Sequence, residues 1–465
     1  MKELFLQRNR FFYTASVLLL GGMLLFQLIL ERGGESHVES NCFLILYNFT
    51  PDLLKTIFDP LRTDWNLYQS RELSYLVDSF DARFIGWSIR HEMAHFYSLS
   101  AIAAAVLTLV VQQLGFAYGF PRMNCWLGVF LSAMWQFVPC NFLHQFFRCG
   151  KPVTALLITL LLFSLRVLWV NEDKRVRLTA KICAVSAIFL LPCFDRQGLF
   201  LLASTTVFTA LAGVFCQEEN RKKLLLKTSL YGVGSIAIST VMNVLITPAI
   251  VKYLNGYTPS FEYQQMSALA VFDFRGTIYF LFDNIGFWLF GFDNGGVLVL
   301  VALGWMIWLL WRKKSYEALA LLVCTIGVLS AMANLMMARH NLLILDGVSH
   351  TVYFMPFAAV LIFLMAVMSE YLNWKHTIPI LFAAVLVSQS VSTVFDNSDP
   401  VHNRFHRHAT ERIIETLNNK ELPSRQQLMP YSAWKLIDAF RGQLTGWEFG
   451  PIPIKYPSVP KHNRL

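Results

Sequence analysis

Charge is what this sequence has least of. Only 15% of its 465 residues are Asp, Glu, Lys or Arg, against about 25% in a soluble domain. The mean hydropathy of +0.46 and several apolar runs near the ~20 residues needed to cross a bilayer as a helix exclude an ordinary water-soluble chain. Metal-spaced cysteines are also missing. The eight cysteines are scattered without a CxxC pair, and most fall in apolar runs, where Cys behaves as a small apolar residue. A disulfide between Cys42 and Cys149, both on the outer side of the topology below, is allowed but not demanded. There is no GxxxxGK[ST] segment, which removes an ATP-driven transport engine. Repeats, low-complexity tracts and a cytoplasmic loop large enough for a nucleotide-sugar domain are lacking too. No small-residue cleavage site follows Leu30, so Met1 to Arg10 and the run after it read as a retained anchor. The net charge of +9 belongs to loops that orient membrane helices, not to nucleic-acid binding.

What is present is a series of apolar runs separated by short basic and long polar segments. The reading is an all-α polytopic membrane protein with about eleven transmembrane helices, N-terminus cytoplasmic and C-terminus outside. The spans are Phe11 to Leu30, Phe96 to Phe120, Cys125 to Phe147, Val153 to Val170, Ile182 to Phe194, Leu199 to Cys216, Leu224 to Val251, Val297 to Trp311, Tyr316 to Ala338, Thr351 to Met368 and Thr377 to Val394. Residues 1–394 form the membrane domain, with outer loops at 31–95 and 252–296. Residues 395–465 form an outer tail. Lys174, Arg175, Arg177 and Lys181, then Arg221, Lys222 and Lys223, mark cytoplasmic loops. Gly276 to Phe292 carries Asp283 at its middle and reads as a re-entrant or interfacial pair on the outer side. Every long polar segment faces outward, so the chemistry is expected there.

The first outer loop holds the densest cluster of polar and aromatic residues. His91-Glu92-Met93-Ala94-His95 matches the H-E-x-x-H pattern, which on a helix sets two imidazoles one turn apart with a glutamate as base. No third ligand in a recognisable context accompanies it. Upstream, Leu73, Leu76, Val77, Phe80 and Phe84 recur at helical spacing, with Arg71, Glu72, Asp78 and Arg83 off that stripe. This predicts an amphipathic helix along the outer membrane surface. Asp59 and Asp64 precede it; a loop carboxylate at a membrane face can activate a hydroxyl as general base. The sequon at Asn48 is followed at once by Pro51 and carries little weight. Asp195-Arg196-Gln197-Gly198 sits at the outer end of an apolar run, where charge is costly and tends to be functional. The alternative is a local Asp–Arg pair capping two short helices. Arginine there suits a phosphate, because its planar fork donates in pairs. His340, Asp346, His350, Tyr353 and Pro356 surround the entry to the tenth span.

Taken in order, Asp64-Trp65, Tyr68, Arg71-Glu72-Leu73 and His91 with His95 resemble the first outer loop of GT-C superfamily membrane glycosyltransferases. The likeness is greatest to the transmembrane O-mannosyltransferase branch bearing tetratricopeptide repeats. That branch shows Asp-aromatic, Tyr-Arg-Pro-Leu and His-x-x-Asn-x-x-Leu-His; here Glu72 stands at the Pro, and His91 to His95 occupies the histidine element. Asp195 and Arg196 fall where the family places a charged pair after its fifth span, and His350 to Pro356 is similar to its Arg-Tyr-x-Tyr-x-Pro element without the Arg. The resemblance implies inverting transfer of a sugar from a polyprenyl-phosphate donor to a glycan, lipid or protein acceptor on the periplasmic or luminal side; the lack of a convincing sequon fits a bacterial plasma membrane, with the endoplasmic reticulum as the alternative. Asp64 would be the base. Arg71, Glu72, His91, His95, Asp195, Arg196, His350 and Tyr353 would bind donor phosphate or substrate. No cofactor is required on this reading and no divalent metal is assigned. Two alternatives remain: a zinc metalloprotease on His91, Glu92 and His95, or a non-enzymatic lipid-sugar transporter using the same outer groove.

Overall fold

The computed structural model describes residues 12–24, 47–48, 52–58, 67–68, 71–91, 98–121, 123, 125–137, 149–256, 260–261, 304, 306–312, 347–372, 448–449 and 452–453. They are helical apart from two pairings of two residues each. The helices are α1 (Phe12–Leu24), α2 (Leu53–Phe58), α3 (Glu72–Arg90), α4 (Leu99–Gly119), α5 (Cys125–Phe137), α6 (Gly150–Val170), α7 (Lys174–Phe194), α8 (Arg196–Phe215), α9 (Glu219–Val241), α10 (Thr247–Asn255) and α11 (Gly347–Leu372). Leu67–Tyr68 pairs in parallel with Ser260–Phe261, and Glu448–Phe449 pairs antiparallel with Ile452–Pro453. Five of the helices described are long and apolar enough to cross a membrane: Leu99–Gly119, Gly150–Val170, Lys174–Phe194, Arg196–Val214 and the continuous Glu219–Leu254. The protein is an integral membrane protein. The expected spans at 316–338 and 377–394, the re-entrant pair at 276–292 and most of the tail lie outside the described residues.

Helix α6 is the hub. It packs against α4, α7, α8 and α11. The core runs through Leu109 and Phe116 of α4, Leu131 and Trp135 of α5, Ile158, Leu161 and Phe163 of α6, Ile188 and Leu191 of α7, and Phe357 and Ile362 of α11. Phe116, Phe120, Phe163 and Phe363 meet edge-on, with ring centroids between 5.1 and 6.1 Å apart, the arrangement that ring quadrupoles favour. Below them Arg166 donates from Nε to the Gly119 carbonyl at 3.0 Å, lies 5.1 Å over the Phe120 ring and pairs with Glu370. Gly115 lies against Phe163 and Gly119 against Val167, so α4 and α6 run the same way. The Phe163–Phe363 and Arg166–Glu370 contacts show that α11 follows them. With α8, four helices therefore start at one end of the bundle.

Helix ends follow local chemistry. Asp173 caps α7, accepting from the Arg175 and Val176 amides at 2.8 and 3.4 Å. That cap carries the helix back to Lys174, eight residues before the expected start of the fifth span. Lys and Arg are good helix formers, so a basic first turn belongs to the helix rather than to a loop. Pro192 inside α7 removes the donor owed to the Ile188 carbonyl, and Ser235 of α9 donates to that oxygen instead at 2.8 Å. In the same way Pro248 leaves Val244 without its donor, and the chain passes through a π turn at Met242–Ile246 before α10.

Candidate functional site

The start of α3, the head of α6 and the α7–α8 junction meet at the end where the four helices begin. Gly150 makes the approach possible. A Cβ there would stand 3.1 Å from Ser74 Oγ, 3.4 Å from the Phe194 carbonyl oxygen and 3.7 Å from Asp195 Oδ2. Asp195 is 2% exposed and its partners come from distant parts of the chain. Lys151 Nζ donates to Oδ1 at 2.7 Å, and Arg71 Nη1 donates to Oδ2 at 3.2 Å across 124 residues. The Gln197 amide also donates to Oδ1 at 2.9 Å, so that Asp195 is the N-cap of α8. Burial works against ionisation of this carboxyl, but the Lys151 and Arg71 charges, with the Lys151 and Gln197 hydrogen bonds, outweigh it and hold Asp195 well below the usual carboxylate range. Such a group orients cations and is a poor proton acceptor.

Two further carboxylates on α3 serve the other helix starts. Asp78 Oδ1 accepts from the Cys149 amide at 2.7 Å, at the head of α6, and Ser74 Oγ donates to its Oδ2 at 3.4 Å. Asp81 Oδ2 accepts from Ser98 Oγ, Ser100 Oγ and the Ser100 amide at the head of α4. Burial pushes the Asp81 carboxyl up, against the lowering effect of the serine hydrogen bonds. Three helix amino ends, each with unpaired N–H groups and partial positive charge, thus carry one aspartate apiece: Asp81 on α4, Asp78 on α6, Asp195 on α8. Thr247 of α10 adds a hydrogen bond to Glu72 Oε1 at 2.8 Å, tying the first turn of α3 to the long α9–α10 rod.

Helix α3 is amphipathic in the manner expected, with its polar face inward. Ser74, Asp78, Ser79, Asp81 and Ser88 are buried, whereas Phe80, Phe84 and Trp87 are exposed. The buried face seats its carboxylates on helix ends that need acceptors, with Tyr75, Ala82 and Ile85 packed beside them, while Leu73, Leu76 and Val77 of the apolar stripe are half-buried and only Phe80 and Phe84 of it stand outside. Asn48 belongs to this seating. Its Nδ2 donates to the Ala82 carbonyl at 2.7 Å, and its amide fills the space above Gly86, where a Cβ would stand 1.9 Å from Asn48 Oδ1. The sequon asparagine is thus a packing residue of α3.

Of the residues singled out in the sequence, Arg71, Glu72 and Asp195 come together here. Arg196 opens α8 beside them, half-buried. The local Asp195–Arg196 pair gives way to ion pairs of Asp195 with Lys151 and Arg71. His91 is separated from them. It follows the last residue of α3, about 30 Å along the helix from Arg71 at ~1.5 Å per residue. Its Nδ1 donates to the Trp87 carbonyl at 2.7 Å and its ring lies 4.6 Å from the Trp87 ring. Asp64, Glu92 and His95 lie outside the described residues. His350 and Tyr353 fall in the opening turns of α11, at the site end. Cys149 is a free, buried thiol, so it forms no disulfide with Cys42. Burial, then the neighbouring Asp78, pushes its thiol well above the ordinary value, which leaves it protonated and inert. Among the described residues no group of three His, Cys, Asp or Glu side chains is placed to hold a metal ion.

The sequence reading missed Lys151, Asp78 as a helix cap and Ser74, and weighed Cys149 only as a disulfide partner. A signal for Lys151 was available. It is a lysine at the head of an apolar run that the expected topology starts on the outer side, where the positive-inside tendency disfavours one. Compared with known proteins, the chain matches no family model, no curated protein and no solved structure.

Proposed function

We propose that this protein is an inverting membrane glycosyltransferase of the GT-C type. In this reading it has about eleven spans and takes sugar from a polyprenyl-phosphate donor at the outer face of the membrane. The observation that carries the reading is the buried Arg71–Asp195–Lys151 node at the end where α4, α6, α8 and α11 start. Arg71 is held to the bundle by the same carboxylate that fixes Lys151. Two preset cations beside helix amino ends favour a developing phosphate charge. The pairing of Leu67–Tyr68 with Ser260–Phe261 supports the reading further, because it joins the segment after Asp64 to the start of the aromatic outer segment.

Asp64 takes the proton of the acceptor hydroxyl as that oxygen attacks the anomeric carbon. The bond from that carbon to the phosphate oxygen breaks, and polyprenyl phosphate leaves with the bonding pair. Arg71 and Arg196, with Lys151 beside them, receive its charge, while Asp195 keeps Arg71 and Lys151 in place. The basic turns at Lys174–Arg177 and Arg221–Lys223 lie at the other end of α7 and α9, the cytoplasmic side by the positive-inside tendency. Sugar transfer is measured in membranes given a panel of polyprenyl-phosphate hexoses labelled in the sugar, scoring label that leaves the lipid fraction. Asp64→Asn is expected to lower transfer by on the order of 100-fold or more with normal protein in the membrane. Undiminished transfer by that variant removes Asp64 as the base, and no transfer by the unaltered protein with any donor overturns the class.

A further inference from the structure

Away from this end, α4 and α5 bury polar groups that the bundle does not satisfy. Gln112 is fully buried, Gln113 is 1% exposed and Trp135 is 1% exposed. Gln113 Nε2 donates to Ser132 Oγ at 2.6 Å and to the Gly128 carbonyl at 3.3 Å. Its Oε1 has no partner, nor do Oε1 and Nε2 of Gln112 or Nε1 of Trp135. Gln113 faces α5 through Ser132, with Trp135 one turn further along α5, while Gln112 lies at the same level on the side of α4 that carries Gly115 and Gly119 against α6, so the unsatisfied atoms sit at one level of the α4–α5–α6 junction. Gln112 is thirteen residues below Leu99, about 20 Å down a membrane-spanning helix. Leaving an amide unpaired there costs several kcal/mol per group, and the sequence spends two adjacent glutamines on it.

The chemistry of the four atoms selects the occupant. Gln112 Nε2 offers two hydrogens and Trp135 Nε1 one, while the two Oε1 atoms accept. Helices α4 and α5 contain no charged residue. A balanced, neutral set of donors and acceptors suits a molecule that both gives and takes hydrogen bonds, and buried water commonly makes about three such bonds to groups of this kind. We propose that Gln112, Gln113 and Trp135 form an internal hydration site, holding ordered water inside the bundle at the level of the Gln113–Ser132 bond. This proposal does not depend on the glycosyltransferase reading.

Radiolytic hydroxyl labelling of the full-length protein in nanodiscs tests it, because bound water converts to hydroxyl radical beside the residues it touches. Each residue's rate is divided by its rate in the unfolded chain. Trp135 is expected to exceed Phe116 and Phe163, which are as deeply buried, because bound water touches it and not them. Gln112→Leu is expected to fold and to lose most of the Trp135 label. A Trp135 rate no higher than those of the two phenylalanines overturns the proposal, as does a rate that Gln112→Leu leaves unchanged. If that variant does not fold, the comparison within the unaltered protein decides.

Discussion

Replacing Asp195 by asparagine leaves Lys151 and Arg71 facing a neutral amide in a buried site. Removing one partner of a buried charge cluster costs about 3–5 kcal/mol, so Asp195→Asn is expected to lower the thermal midpoint in detergent by several degrees at pH 7. The pH dependence carries the signature. A carboxyl held below its ordinary value in the folded protein contributes stability that is complete above about pH 4 and is lost as pH falls toward the folded value. The difference between the two proteins should therefore stay constant from pH 8 down to about pH 5 and shrink only in stronger acid. A difference that narrows between pH 8 and 6 would mean that another group is responsible. Residue by residue, the sequence pointed to Asp195 and Arg196 as costly charges at the end of an apolar run, and to Arg71 and Glu72 through their place beside an amphipathic stripe and the resemblance of that loop. It did not say that Arg71 and Asp195 touch across 124 residues, since that depends on how three helices meet. Lys151 was hidden for a related reason: at the edge of a run, a lysine looks like a boundary.

At the scale of the element, close approach depends on glycine. A Cβ on Gly198 would lie 2.1 Å from the Leu191 carbonyl oxygen. Both partners are backbone, so neither can swing aside. Gly198→Ala forces α8 away from α7 just where Asp195 joins them. It is expected to cost roughly 2 kcal/mol or more and to loosen the Lys151–Asp195 contact with it. Gly234 in α9 is the control, because a Cβ there meets nothing within 4 Å. Gly234→Ala should raise stability by about 0.5–1 kcal/mol through helix propensity. Thermal unfolding of both variants checks the pair, and equal effects would remove the packing argument. Helix α3 shows how far pattern reading reaches. Its period and its polar residues were legible, because both are properties of one helix. The destination of each face was not. The polar side turned inward because α4 and α6 present amino ends that need acceptors, and those ends exist only in the assembled bundle.

For the whole molecule, the long rod from Glu219 to Leu254 gives a test of orientation. Its 36 residues extend about 54 Å at ~1.5 Å per residue, well beyond a hydrocarbon core of about 30 Å, so one end must stand clear of the membrane. Thr247 meets Glu72 at the site end, and Tyr253 beyond it is 88% exposed. Lys222 lies at the opposite end, in the basic first turn of α9. If basic loops face the cytoplasm, the Asp195 node and the α3 helix face outward. Tyr253→Cys should then take up a membrane-impermeant maleimide in intact cells, above the label on the unaltered chain. Lys222→Cys should do so only after the membrane is opened. The reverse pattern would put the Arg71–Asp195–Lys151 node on the cytoplasmic side, where polyprenyl-phosphate sugars would have to be met from within the cell. The outward-facing reaction would then fall even if sugar transfer were observed.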